Sequence, residues 1–317
     1  MDLEGADRHV ASIAPLVTAT WNERVVGGFG GFAAGLTLPG GYVDPVLMLT
    51  TDGVGTKLEL ARRWNRWDGV GFDLVAMVVD DLAAAGATPL AVVDYMAVGS
   101  LDPQRDTAIV SSIAAACSVA GCALLGGETA EHPGVMESDQ VDLAATALGV
   151  VERDAELGSH RVSAGDLVIG LASPNLRSNG FSLVRAVIEG RDLNETVDGR
   201  PLIDVLLEPS VIYSPAVMRA VATGKVHAAA HITGGGLASN LARVIPEGCT
   251  VDLNFGAWPV PRVFHLLAEW GDLPPAELRA VLNTGIGFCL VAAAGDVAEL
   301  IELSGHDALV IGEVVSL

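Results

Sequence analysis

Residues 49–61 read LTTDGVGTKLELA: an extended, β-branched run, a Gly-Val-Gly turn, then a helical stretch beginning near Leu58. A strand feeding a glycine turn at a helix start leaves backbone N–H groups free and aims the positive end of the helix dipole at one point, an arrangement suited to an anion. The spacing is not that of a P-loop, which needs four residues between its first glycine and the Gly-Lys-Ser/Thr. Asp52 beside the turn repels phosphate unless a cation lies between them, which points to Mg²⁺. Lys57 is one of two lysines in the chain, the other being Lys225, against 16 arginines. A compact ammonium in a tight turn suits a phosphate oxygen better than a wide guanidinium fork does. The plainer alternative is an ordinary helix start with one surface lysine.

Working outward, 317 residues favour two domains, and a chain that is 50% hydrophobic with mean hydropathy +0.45 has ample apolar surface for a core. No run approaches the 18 or so apolar residues of a membrane span, and no basic-then-apolar leader opens the chain, so a soluble, cytoplasmic protein is expected. A net charge of −21 argues against DNA or RNA as partner, though not against a small phosphorylated ligand. Cys117, Cys122, Cys249 and Cys289 form no C-x-x-C pair and read as small hydrophobes rather than a zinc site or disulfide framework.

The first half alternates strands (46–51, 90–98, 122–127, 141–151) with helices (72–86, 107–121). The polar stretch DAELGSHRVSAGD at 154–166 separates the last of these from a fresh strand at 167–172. The boundary is placed there, giving domains 1–156 and 157–317. The second half reads strand, loop, helix (179–189), helix (210–223), strand (227–232), loop and helix (237–243), so both halves are α+β.

Several carboxylates stand out. On a helix over 72–86, Leu74, Val78, Asp81 and Ala85 share a stripe, so Asp81 interrupts an apolar face and needs a metal, an arginine or several donors. The alternative is a rotated helix with Asp80 and Asp81 both solvated. Glu128 and Glu131, in GGETAE after a strand, are candidate metal ligands or bases, or simply a polar loop. Two further strand–loop–helix joints follow. Arg177, Ser178, Asn179 and Gly180 open one helix, where Ser178 or Asn179 also suits an N-cap. Thr233 with Gly234, Gly235 and Gly236 permits close backbone approach to a ligand, and His231 at the strand end is a candidate acid or base. Three glycine–helix anion sites with Mg²⁺-competent carboxylates suggest a nucleoside triphosphate and a second phosphorylated ligand.

The ordered set GGFGGF (27–32), TDGVGTK (51–57), FDLVAMVVDDL (72–82), GCALLGGETAEHPG (121–134), RSNGFSLVR (177–185) and HITGGGL (231–237) resembles the phosphoribosylformylglycinamidine cyclo-ligase (aminoimidazole ribonucleotide synthetase) family over nearly the whole chain. The resemblance implies a two-domain α+β fold of that type. Its N-terminal domain would bind ATP and form a β-barrel with a second copy in a homodimer, and its C-terminal α/β sandwich would bind substrate. It implies that ATP phosphorylates the formamide oxygen of formylglycinamidine ribonucleotide, after which a nitrogen of the same substrate displaces phosphate and closes the imidazole. By this reading Gly53, Gly55, Thr56, Lys57, Gly127 and Thr129 hold ATP. Asp52, Asp81 and Glu128 hold Mg²⁺, and Arg177, Ser178, Gly180, Thr233, Gly234 and Gly235 hold substrate. Asp81, Asn179 and His231 carry the chemistry.

The chain also departs from the family pattern. Met1-Asp2-Leu3-Glu4 stands where Val-Asp-Ile-Glu is usual, and Thr18-Ala19-Thr20-Trp21 replaces basic residues. Leu282-Asn283-Thr284-Gly285-Ile286-Gly287-Phe288 replaces a Phe-Asn-x-Gly-x-Gly-Met segment. Arg177 occupies a position usually held by His, and Asp80 one that is Asn in many relatives. Because arginine stays protonated, Arg177 cannot take over any proton transfer by that His. It favours an anionic group near its loop, and with it an alternative reading: a paralogue using the same ATP chemistry on another amide or carboxylate. An idle homologue serving as a structural subunit is a further alternative, disfavoured by intact Asp52, Lys57, Asp81 and Glu128.

Overall fold

A computed structural model describes residues 3–317, with side chains from residue 7 onward; Met1 and Asp2 of the leader departure lie outside the described residues. The first half runs α1 (Leu3–Thr18), β1 (Val25–Val26), β2 (Gly35–Leu36), β3 (Pro45–Gly53), α2 (Lys57–Arg63), α3 (Val70–Ala84), β4 (Thr88–Val98), α4 (Pro103–Ala120), β5 (Ala123–Glu131) and β6 (Val141–Glu152). The second half runs β7 (Leu167–Ala172), α5 (Phe181–Val187), β8 (Thr196–Val197), β9 (Arg200–Pro201), α6 (Leu202–Leu206), α7 (Ser214–Val221) and β10 (Val226–His231). It continues through α8 (Gly236–Ala242), β11 (Cys249–Leu253), α9 (Arg262–Gly271), α10 (Pro275–Val281), β12 (Ile286–Ala292), α11 (Val297–Ser304) and β13 (Leu309–Ser316).

β3, β6, β4 and β5 form a four-stranded sheet in that order, parallel between β4 and β5 and antiparallel elsewhere. The parallel pair follows from the α4 crossover, since parallel neighbours need a long connection. Alternation along β3 turns Val46, Met48 and Thr50 toward the helices and leaves Leu47, Leu49 and Thr51 exposed. The second sheet, β10-β12-β7-β13-β11, is antiparallel throughout. Its strand β12 is buried along its whole length. Phe288 and Leu290 pack with Tyr213 and Val217 on one face, while Cys289 and Val291 pack with Leu237 and Leu241 on the other. A strand covered on both faces needs no polar alternation, which is why 286–292 reads as a continuous apolar run.

Helix α3 joins the halves. Its Leu74, Val75, Ala76, Val78 and Val79 are fully buried, as expected for a helix that is apolar nearly all round. It packs on β3 and β6, on α4, and on α7 and β10 of the second half. The largest apolar cluster accordingly runs from Leu74 and Met77 through Leu176, Phe181 and Val184, so the two halves share a core.

One expectation is corrected. The chain does not form the β-barrel that the resemblance implies. The N-terminal sheet is open, with β3 and β5 as its edges, and it neither curls nor closes. The four strands of one chain are too few to close around a packed interior by themselves, which takes about eight.

Gly71 sets the closeness of α3 to α4. A Cβ there would collide with the backbone at Ser112 and Ile113, and the Gly71 N–H donates to Ser112 Oγ at 3.1 Å. Backbone cannot swing aside as a side-chain tip can. Gly71→Ala is therefore expected to destabilise the fold by about 3 kcal/mol, the upper end for overpacking, measured by urea unfolding.

Candidate functional site

A cavity of about 440 Å³ lies between α1, the glycine-rich loop 28–34 and the strands β4 and β5. The end of α1 is fastened to β5: Trp21 Nε1 donates to Leu124 O at 2.8 Å, and Leu124 N donates to Thr20 Oγ1 at 2.9 Å. These residues replace the family's basic ones, and their bonds show that the segment 18–21 anchors the cavity wall. Farther along, His9 Nε2 meets Thr129 Oγ1 at 3.3 Å. Gly127, Glu128 and Thr129 line the cavity, and so does Asp94, which the sequence reading did not single out. Burial pushes the Asp94 carboxyl up to about 7. A Cβ on Gly127 would overlap that carboxyl, so glycine is required there for Asp94 to lie flat against β5. The available signal was an acid in the apolar strand LAVVDYMAV, at the same parity as Val92 and Met96.

The sheet register explains how the other acids stand. Asp52 pairs with Ala145, Ala145 with Asp94, and Asp94 with Gly127, so the four form one row across the sheet. Residues directly opposite share a face, and strands lie about 4.8 Å apart, so Asp52 and Asp94 stand roughly 10 Å from each other on the helix side. Asp81 comes from α3 and is engaged elsewhere, so Asp52, Asp81 and Glu128 are not gathered into a ligand set. Among the described residues no three His, Cys, Asp or Glu side chains converge on a metal position.

The turn 53–57 is built as a strand–turn–helix joint, with Gly55 at φ +72° and Asp52 Oδ1 accepting from Gly53 N at 2.7 Å. Thr56 Oγ1 lies 3.2 Å from Ser182 Oγ of the second half. Lys57, however, points inward and is 1% exposed. Its Nζ donates to Asp73 Oδ1 at 2.9 Å, to Arg177 O at 3.1 Å and to Glu208 O at 2.8 Å, which uses all three ammonium donors. Asp73 in turn accepts from Ser210 N at 3.0 Å and Ser210 Oγ at 2.6 Å. Burial lowers the Lys57 ammonium pKa and raises that of Asp73, each opposed by the other's charge. Lys57 therefore ties the halves together rather than facing the large cavity.

Arg177 is likewise 1% exposed, and of the two successive aspartates of α3 it is Asp80, not Asp81, that is fully buried. Arg177 Nη2 donates to Asp80 Oδ2 at 2.8 Å. The loop that follows brings Asn179 Oδ1 to 3.7 Å from where a Gly234 Cβ would stand, so the Ser-Asn-Gly and Thr-Gly-Gly-Gly loops are neighbours. Ser178 Oγ is buried and makes no hydrogen bond among the described residues, while Thr233 Oγ1 donates to Asn240 Oδ1 at 3.3 Å. Gly180 and Gly235, at φ +77° and +93°, hold left-handed turns at the starts of α5 and α8.

His231 and Asp81 are brought together. His231 Nδ1 lies 2.9 Å from Asp81 Oδ1, and Thr50 Oγ1 donates to Asp81 Oδ2 at 3.1 Å. Burial works to raise the Asp81 carboxyl, but the bond and charge of His231, the Thr50 hydroxyl and the charge of Arg243 outweigh it and leave the pKa below its ordinary value. With Nδ1 occupied, His231 keeps a buried Nε2 that has no hydrogen-bond partner among the described residues. An imidazole held at one nitrogen exchanges a proton at the other only where a partner reaches it.

The raised Asp94 pKa makes a stability prediction. The folded chain binds this proton more tightly than the unfolded chain, whose carboxyl has the ordinary value near 3.8. The contribution is thus fully present below that value and is lost as pH rises through about 7. Between pH 5.5 and 8, the ligand-free wild type should lose on the order of 2 kcal/mol relative to Asp94→Asn, allowing for water in the cavity. Urea unfolding of both proteins at the two pH values measures this.

Comparison with known proteins places this geometry. Residues 38–151 match the family model described as "AIR synthase related protein, N-terminal domain", and residues 163–316 match its C-terminal counterpart. A phosphoribosylformylglycinamidine cyclo-ligase of Synechococcus sp. (strain CC9605) is 45% identical over 324 aligned positions, covering 100% of this chain and 94% of the relative. Among solved structures, the hydrogenase maturation protein HypE in complex with ATP is similar with a TM-score of 0.73 at 20% identity, over 98% of this chain and 87% of that one. Thiamine-monophosphate kinase from Stenotrophomonas maltophilia is similar with a TM-score of 0.68 at 22% identity, over 100% and 94%. At those identities the two structures establish the fold alone, whereas the full-length match and the two family models establish kinship. The chain belongs to the phosphoribosylformylglycinamidine cyclo-ligase family of AIR synthase-related proteins.

Proposed function

We infer that the chain catalyses the ATP-dependent ring closure of formylglycinamidine ribonucleotide to aminoimidazole ribonucleotide, a step of purine biosynthesis. The observation that carries this reading is 45% identity to a cyclo-ligase over the entire chain. Transfer of the γ-phosphoryl group to the formamide oxygen converts a poor leaving group into phosphate. A nitrogen of the same molecule then attacks that carbon, phosphate departs, and the attacking nitrogen loses a proton. The enzyme's contributions are positioning and charge neutralisation.

The geometry supports the following assignment of parts. The large cavity, with its glycine loop and the Gly127-Glu128-Thr129 wall, takes ATP, because closely approachable backbone N–H groups are what phosphates need. Gly53, Gly55 and Thr56 belong to a seven-residue helix start outside that cavity, which leaves them at the junction with substrate. Mg²⁺ commonly arrives with nucleotide phosphates and needs only one or two protein carboxylates, so the scattered acids fit a nucleotide-borne ion; Asp94 on the cavity wall would hold it, with Asp52 farther along the row, whereas Glu128, opposite Tyr95, belongs to the other face of the sheet. When bound it supplies neutralisation of the phosphate charge. The neighbouring Ser178–Gly180 and Thr233–Gly235 loops hold the substrate. Residues 1–156 form the nucleotide half and 157–317 the substrate half. Arg177, which favoured a different substrate when read as a free cation, is committed to Asp80, and that support for the paralogue reading falls away.

His231, aligned by Asp81, accepts the proton released on ring closure through Nε2. Incubation with Mg-ATP and formylglycinamidine ribonucleotide should yield ADP and aminoimidazole ribonucleotide in equal amounts. His231→Gln should lower kcat about 10²- to 10⁴-fold with little change in KM for ATP. An absence of product from the wild type would overturn the assignment, and an unchanged kcat in the variant would remove His231 from the chemistry.

No helix among the described residues is long and apolar enough to cross a membrane, and the net charge disfavours nucleic acid, so a cytoplasmic small-molecule enzyme is the reading we adopt. We place a homodimer contact on the outer face of the open sheet, where Leu47, Leu49, Val93 and Tyr95 are exposed. Light scattering should give twice 32.6 kDa for the wild type and a single chain for Leu49→Glu; a monomeric wild type would refute it.

A further inference from the structure

We propose that Arg177 and Asp80 form a positioning pair that fixes His231 and the Ser178–Gly180 loop in register with Asp81, resting on the reading of His231 given above. Asp80 and Asp81 are successive residues of α3, and both lead to the same place by different routes. Asp81 reaches His231 directly, carboxylate to imidazole, at 2.9 Å. Asp80 reaches it through Arg177. The guanidinium donates from Nη2 to Asp80 Oδ2 at 2.8 Å and from Nη1 to Gly287 O at 2.9 Å. Gly287 O also accepts from Ile232 N at 3.1 Å, one residue beyond His231. The chain α3–Arg177–Gly287–Ile232–His231–α3 is thus a closed ring of hydrogen bonds, with the imidazole held from its backbone side by one acid and from its ring side by the next.

The surroundings admit no slack in this ring. Asp80 Oδ1 accepts from Tyr213 N at 2.9 Å and from Ser214 N at 2.8 Å, so the carboxylate is fixed at three points. The Tyr213 ring lies 4.9 Å from the Arg177 guanidinium carbon, and a Cβ on Gly287 would strike that ring. Arg177 itself sits at φ +59°, a left-handed position that few side chains adopt without support. Its N–H donates to Asn175 Oδ1 at 3.0 Å and its carbonyl accepts from Lys57 Nζ. A side chain pinned at its tip and a backbone pinned on both sides fix where Ser178 and Asn179 begin. Arg177 and Asp80 are 97 residues apart in sequence yet touch in space as a buried ion pair. Loss of either member leaves a buried charge unanswered, whereas removing both charges together does not.

The test uses Arg177→Lys, which keeps the charge and loses the fork, and the coupled variant D80N/R177H, which removes both charges; Asp80→Asn alone leaves a buried arginine and serves only if it folds. Thermal unfolding first establishes that the variants are folded. The ¹⁵N imidazole signals of His231, assigned by their loss in His231→Gln, then report its tautomer and hydrogen bonding without any reference to activity. In folded Arg177→Lys these signals should move, and kcat for ring closure should fall about tenfold to a hundredfold with KM for ATP changed less than about twofold, as misplacement of a reacting group predicts. D80N/R177H should recover most of the loss. Unmoved His231 signals, or an unchanged kcat in folded Arg177→Lys, or a coupled variant no better than Arg177→Lys, would each overturn the pairing. Should the wild type close no ring while the signals still move in Arg177→Lys, the assigned reaction fails and the positioning pair stands.

Discussion

Helix α3 carries Asp73, Asp80 and Asp81 into the seam between the halves, and each of these carboxylates has to find partners there because an unpaired buried charge costs several kcal/mol. All three do so across the seam. Asp73 takes Lys57 from its own half and Ser210 from the other, Asp80 takes Arg177, Tyr213 N and Ser214 N, and Asp81 takes His231 and Thr50. The apolar packing of α3 would tolerate small slides of one half on the other, since it is non-directional. The ion pairs and hydrogen bonds do not, because their geometry is specific at the level of tenths of an ångström. Their contribution is orientation more than stability, as a buried pair adds little over an apolar replacement but leaves a costly charge when one member is lost.

That fixed orientation is what assembles the site. The cavity belongs to the first half, made by α1, the loop 28–34 and the row of sheet positions that ends in Asp94 and Gly127. The Ser-Asn-Gly and Thr-Gly-Gly-Gly loops belong to the second. Those two loops stand beside each other, Asn179 next to Gly234, where Arg177 is held to Asp80 and His231 to Asp81. The glycines act at the points of closest approach: Gly127 admits the Asp94 carboxyl, Gly71 admits α4, and Gly287 admits the Tyr213 ring. In each case the missing side chain makes room for a neighbour rather than for flexibility.

Much of the fold was readable from pattern. The strand at 167–172 and the helix at 237–243 fall within a residue of their observed bounds, and 46–51, 90–98 and 141–151 lie inside longer strands. The motif order was specific enough to indicate the family. The roles of single residues were less accessible. Asp81 was recognised as an oddity on an apolar stripe, but α3 is enclosed on nearly every side, so the stripe did not say which aspartate is more deeply buried. It is Asp80. Asp94 lay in an ordinary-looking strand, and its raised pKa arises from burial that periodicity does not encode.

Lys57 and Arg177 make the distinction plainest. The sequence by itself determined that each follows or precedes a glycine turn at a helix start, that lysine is rare in this chain, and that the chain is a two-part α+β protein of one family. It also determined the local conformations, because strand alternation, glycine turns and helical periodicity depend on neighbours a few residues away. Only the tertiary structure decided that Lys57 faces Asp73, that Arg177 faces Asp80, and that the N-terminal sheet stays open. The reason is that the partner of a buried charge and the closure of a sheet are set by contacts between segments far apart in the chain. Local pattern can require that a charge be answered, but it carries no information about which distant group answers it.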